Sequence, residues 1–253
     1  MEINIEETYN EFFKIIDTHF TGERKNRIRS MHESFGERLA IAPASSYAHF
    51  HNAFPGGYME HVIRVVKNSL TVYDMFVELG LKTSTFGPEN IVFVALHHDL
   101  GKLGYPGEGN ETYLPEPEEW WRKNRGRLYV VNEKVPFMTV QDRSLFLLQH
   151  FEIEMSIEEY IAIRIHDGLF DEINKPYYIT SESAKLKSNL PYIIHTADLI
   201  ASRFEYERWK SEKPVEPDVK PKKAYTKKPD TTKTMNNLSA SSREAFDSIF
   251  GKS

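Results

Sequence analysis

The segment ALHHDLGKLG sets His97, His98 and Asp99 directly after an apolar run and just before Gly101-Lys102. Three other segments carry comparable groups: His61 in GYMEHVIRV, His166-Asp167 at the end of IAIRIHDG, and His195 with Asp198 in YIIHTADLIA. Each is flanked by side chains that belong in a core. An ionised aspartate buried without a partner is strongly unfavourable. Several segments that bring such groups inward can satisfy one another through a shared cation. Imidazole nitrogen with carboxylate oxygen suits a divalent ion: Mn, Mg, Fe, Co, Ni or Zn. The chain has no cysteine, so thiolate sites and disulfides are excluded. An adjacent His-Asp pair supplies two ligands from one helix end, and its carboxylate can bridge to a second ion. Taken singly, His61 also fits a core histidine bonded to a carbonyl, Asp198 a buried hydrogen-bonded carboxylate, and His150 the surface. His97 is expected to face away from His98.

The elements that must position these groups read as helices. Ile5, Tyr9, Phe12, Phe13 and Ile16 recur at helical spacing, which predicts an amphipathic helix over 4–18. Residues 23–40 read as one charged helix, followed by the loop PASSYAHFHNAFPGG. Val62, Val65, Val66, Leu70, Tyr73 and Phe76 line one face of the next helix, with Gly80 as its C-terminal stop. GPENIVFVALHHDLGK reads as a buried helix from Pro88 to Gly101. Residues 104–140 are aromatic, charged and poorly periodic, with short strands expected around RLYVVN. DRSLFLLQHF and SIEEYIAIRIHDG read as two short helices, and Ser156 with Glu159 as a capping box. LPYIIHTADLIASRFEYERWK is the last helix. No internal repeat is present.

The net charge of −5 gives no overall attraction to nucleic acid. The N-terminus MEINIEETYNEFFKIID lacks the basic start and apolar centre of a signal peptide, and no apolar run approaches a membrane span. A cytoplasmic protein with no membrane partner is therefore expected. Residues 211–242 hold seven lysines, four acids and four prolines with almost no large apolar side chains. That composition predicts a disordered linker. Residues 243–253 recover Phe246, Ile249 and Phe250, which fall on one face of a short helix-capable peptide. The expected organisation is a helical domain over 1–210, a linker over 211–242 and a terminal peptide over 243–253.

The order His … His-Asp … Asp, each member on its own helix, resembles the HD-domain phosphohydrolase superfamily. The resemblance runs from about Pro43 to Glu207, with the first two helices packed on that core. PASSYAHFHNAFPGGYMEHVIRV looks like the segment with the first ligand histidine in YhaM-type 3′–5′ exoribonucleases. ALHHDLGK looks like the HD motif, and IHTADLIASR like the final aspartate segment. The resemblance implies an all-α HD bundle of about five core helices, with His61, His98, Asp99 and Asp198 as metal ligands. The chain departs from its relatives in two ways. Its first forty residues leave no room for the OB-like domain of YhaM-type nucleases. FMTVQDRS lacks the histidine that two-metal relatives carry after the HD helix, so one ion is expected. His166, in IRIHDG, is similar to a later histidine of the two-metal relatives.

The implied chemistry is hydrolysis of a phosphoester or phosphoanhydride of a nucleotide. Asp99 holds the ion and orients water, and Lys102 sets positive charge against a phosphate oxygen. The alternative for Lys102 is an exposed lysine at a helix end. His166 and His195 orient the phosphate, protonate the leaving group or bind a second ion. Arg203, with Arg164 and Asp167, is a substrate or supporting contact, or simply surface. Tyr105, Tyr113, Trp120, Trp121 and Tyr129 lie between ligand segments and either stack a nucleobase or close a small core. Two other activities compete: a 3′–5′ exonuclease on single strands, with only RKNRGR and GERKNRIR as basic tracks, and a non-catalytic nucleotide-sensing module. AFDSIF is similar to the tail peptides with which some T4-like phage proteins bind their sliding clamp. That likeness implies a clamp partner through Phe246, Ile249 and Phe250, a phage origin and a host cytoplasm.

Overall fold

The computed structural model describes residues 4–50, 52–178 and 186–212. All of them belong to one compact unit, Met1–Lys213; the second unit, Pro214–Ser253, lies outside the described residues. So do the expected terminal peptide and all but the first two residues of the expected linker.

The fold is all-α with one small ribbon. Helices α1 (Ile5–His19), α2 (Gly22–Glu33) and α3 (Glu37–Ile41) lead into the long α4 (Gly57–Glu78) and then α5 (Pro88–His97). A 3-10 turn at Leu100–Leu103 follows, then β1 (Tyr113–Pro115), α6 (Glu119–Arg125) and β2 (Tyr129–Val131). Helices α7 (Val140–His150), α8 (Ile157–Arg164), α9 (Lys175–Tyr178) and α10 (Leu190–Glu212) complete the described chain.

Helix α5 is the centre of the bundle. Every residue from Ile91 to His97 is buried, as expected of a helix that is apolar on all sides. It packs on α4, α8, α10 and α1, and α4 packs in turn on α10. Phe12 and Ile16 of α1, Val62, Val65 and Val66 of α4, and Ile193, Ile194 and Ala197 of α10 close the core around it.

Three expectations on the elements need correction. The helix read over 23–40 is two helices, because Phe35 turns inward to a buried position in the core cluster. Helix α5 ends at His97 rather than Gly101, and the chain tightens into the 3-10 turn. Helix α6 was not anticipated, since it buries none of its residues and so carries no apolar periodicity. The strand at RLYVVN is present, paired antiparallel with β1.

The capping box at α8 is formed. The Ser156 hydroxyl accepts the Glu159 N–H at 3.1 Å, and the Glu159 carboxylate accepts the Ser156 N–H at 2.7 Å. Ser156→Ala should destabilise the protein by about 1 kcal/mol in urea unfolding.

Candidate metal centre

Four segments bring five side chains to one buried point. His61 comes from the second turn of α4, His98 and Asp99 from the end of α5, His166 from the end of α8, and Asp198 from α10. His61 and His98 are fully buried, and His166 and Asp99 nearly so. Ligand atoms of His61, His98 and Asp99 lie within 4.8 Å of one another, as do those of His98, His166 and Asp198.

The ring orientations are fixed from behind. His98 Nδ1–H donates to the Ala95 carbonyl at 2.8 Å, and His166 Nδ1–H to the Ile163 carbonyl at 2.9 Å. The two residues repeat one device: a histidine at a helix end bonds the carbonyl three residues back. A carbonyl can only accept, so Nδ1 carries a proton in each ring and Nε2 is the atom turned inward. His61 Nδ1–H is held by the carboxylate of Glu205, at 3.1 and 3.2 Å.

The inward atoms lie close together without closing into hydrogen bonds at His98 and His166. His98 Nε2 lies 3.4 Å from Asp99 Oδ2, and His166 Nε2 lies 3.7 Å from Asp99 Oδ1. Neither pair is a well-formed hydrogen bond, and His98 Nε2 is buried with no hydrogen-bond partner among the described residues. Leaving such an atom unsatisfied costs about 1–3 kcal/mol. His61 Nε2 faces Asp198 Oδ1 at 3.2 Å and Asp99 Oδ2 at 3.5 Å.

Charge points the same way. Three carboxylates, Asp99, Asp198 and Glu205, meet two permanent cations: Lys102 Nζ, 2.6 Å from Asp99, and Arg64 Nε, 3.3 Å from Glu205. One negative charge is left for a proton or a bound cation. Burial opposes a charged His61 ring, but Glu205 and then Asp198 outweigh it and push its pKa up to about 10. Burial opposes the Asp99 carboxylate too, yet Lys102 and His98 hold it well below the usual carboxylate range. Asp198 is likewise lowered, by His61 against the pull of burial. The donor set, nitrogen and oxygen without sulfur, can hold a divalent ion.

Surrounding groups hold the ligands in place. Helix α7 contributes no ligand to this cluster but clamps the turn after Asp99. The Ser144 hydroxyl accepts Gly101 N–H at 2.8 Å, and Arg143 donates to the Gly101 carbonyl at 3.0 Å. A Cβ on Gly101 would stand 2.2 Å from the Val140 carbonyl oxygen, so only glycine admits α7 at this distance. His195 stands behind His166: its Nδ1–H donates to the His166 carbonyl at 2.8 Å. Its ring occupies the space beside Gly168, where a Cβ would meet it at 2.5 Å.

Arg203, on α10, pairs with Glu207 at 2.8 Å and is largely exposed. Arg164 pairs with Asp142 of α7 at 3.2 Å. Asp167 accepts a hydrogen bond from Gln141. His150 is exposed and stacked on Phe146. The described residues include no helix long and apolar enough to cross a membrane.

His97 turns away from the cluster, into the core. Its Nδ1–H donates to the Phe93 carbonyl at 2.6 Å, so its Nε2 accepts from His32 Nε2–H at 3.3 Å. Burial depresses the pKa of His32 to about 3. Protonation therefore favours the unfolded chain below its ordinary value of 6.5. The neutral ring's contribution is complete above that pH and is lost as pH falls toward 3, at about 1.4 kcal/mol per pH unit. Urea titrations at pH 6.5 and 5 should show this slope, and His32→Leu should flatten it by that amount.

Glu205 and Tyr58 were missed in the sequence. Glu205 is fully buried as a side chain and lies seven residues after Asp198, two turns along the same face of α10. That spacing was the signal. Tyr58 is fully buried, its hydroxyl has no hydrogen-bond partner, and burial with the Asp99 charge keeps it protonated.

Compared with known proteins, the chain matches no family model, no curated protein and no solved structure. The resemblance to HD proteins rests on the residues quoted for it.

Proposed function

We propose that this protein is an HD-type metal-dependent phosphohydrolase that cleaves a phosphoester or phosphoanhydride bond of a nucleotide. The observation that supports this most is the convergence of ligand atoms: the Nε2 atoms of His98 and His166 both look onto Asp99, at 3.4 and 3.7 Å, while the Nδ1–H of each ring is spent on a carbonyl. In this reading His61, His98, Asp99 and Asp198 hold one divalent ion, and His166 stands on the other side of Asp99. A bound ion supplies Lewis acidity, drawing charge from a phosphoryl oxygen and acidifying water.

The chain's own groups do the rest. Lys102, held against Asp99, keeps positive charge where a phosphate oxygen gains charge in the transition state. His166 is placed to take or give one proton at Nε2 while its Nδ1–H stays on Ile163. His195 keeps the His166 turn in position and excludes water behind it.

The test is turnover. The pure protein is incubated with Mn or Mg and a panel of dNTPs, NTPs, nucleoside monophosphates, cyclic dinucleotides and short single-stranded RNA and DNA. Hydrolysis of one class that stops with EDTA and returns with Mn supports the reading. A metal-loaded protein that leaves the whole panel intact rejects catalysis in favour of a nucleotide-sensing module.

A further inference from the structure

A cavity of about 580 Å³ lies between the segment 34–43 and the β ribbon. Lys102 forms part of its wall, and the same ammonium sits 2.6 Å from Asp99, so the cavity and the His/Asp cluster share this side chain. The ribbon supplies a flat wall. Its register sets Tyr113 opposite Val131 and Pro115 opposite Tyr129. Opposed residues share a face, so Tyr113, Pro115 and Tyr129 lie on one side, and all three border the cavity together with Leu114 between them.

Glu111 adds a polar group that is charge-balanced but not hydrogen-bonded. Its Oε2 is buried without a hydrogen-bond partner, 3.8 Å from an Arg38 nitrogen. Arg38 makes its hydrogen bonds instead to the carbonyls of Leu103, Tyr105 and Gly107. The Glu111 side chain borders the cavity and is one-third exposed, so its carboxylate can accept from a ligand that brings an O–H or N–H, such as a ribose hydroxyl or a base amino group.

We infer that this cavity takes the nucleoside part of a mononucleotide, its base against Tyr113 and Tyr129, a sugar or base donor on Glu111, and its phosphate toward Lys102. This rests on the phosphohydrolase reading and sharpens its substrate. The volume falls in the range of sites for one small molecule, roughly 300–1,000 Å³. Glu37 and Glu108 also border the cavity, beside Glu111. With Arg38 and Lys102 as its only cations among the lining residues, the cavity offers no basic track for the further phosphates of a polymer. A mononucleotide is favoured over a single strand on that ground.

The test is binding without turnover. Adenosine, guanosine, cytidine and uridine 5′-monophosphates are titrated by calorimetry into the full chain, into Glu111→Gln and into Tyr129→Leu, with thermal melts to confirm that both variants fold. At least one monophosphate should bind, and each variant should weaken it about tenfold, the loss expected for one charged hydrogen bond or one stacked face. Equal affinity in all three proteins overturns the assignment, as does the absence of binding by all four monophosphates. Hydrolysis of p-nitrophenyl phosphate esters, which carry no nucleoside, tests the phosphohydrolase reading separately, so the two proposals fail by different results.

Discussion

In Asp99→Ala protein, bound manganese should fall from about one ion per chain to a trace, and hydrolysis should drop on the order of 10³-fold or more, the scale of losing one preorganised electrostatic group. Asp99 sits within reach of His61, His98, His166 and Lys102 at once, so it is the hub of the cluster. Removing its carboxylate takes away a ligand and the partner that Lys102 Nζ meets at 2.6 Å. The fold should survive, because the core around α5 does not depend on this side chain. Metal analysis of the dialysed protein, beside a thermal melt, measures both effects. Full metal occupancy in the variant would rule Asp99 out as a ligand.

Glu205→Gln should weaken metal binding about 10–100-fold, the usual effect of losing a carboxylate behind a ligand histidine. The glutamine oxygen can still accept His61 Nδ1–H, so the ring keeps its place while losing the charge that makes it a better donor. The readout is manganese affinity by calorimetry, with His61→Ala as the comparison. An unchanged affinity in Glu205→Gln would make Glu205 a packing partner of Arg64 and nothing more.

The candidate site was legible because its groups break the apolar rule. His61, His98, Asp99, His166 and Asp198 each interrupt a run of core residues, and the fold brings all five together. Glu205 was hidden because FEYERWK, at the end of a helix, reads as a solvated face. His32 was hidden for a similar reason, since α2 is charged over most of its surface and buries only three side chains.

Helix ends were read less well than helices. The periodic pattern carries α5 on to Gly101, but the backbone leaves the helix at Asp99, just after His98, where α7 holds the turn through Ser144 and Gly101. The stretch 104–140 gave up only its second strand, since α6 and the ribbon are held by cross-chain bonds such as Ala48 N–H to the Gly126 carbonyl rather than by a buried face.

Anomalous diffraction from crystals soaked in manganese tests the central claim most directly. The account predicts one strong peak enclosed by His61 Nε2, His98 Nε2 and carboxylate oxygens of Asp99 and Asp198. Soaked crystals with no peak among those atoms, or with manganese bound only at surface carboxylates, would contradict it.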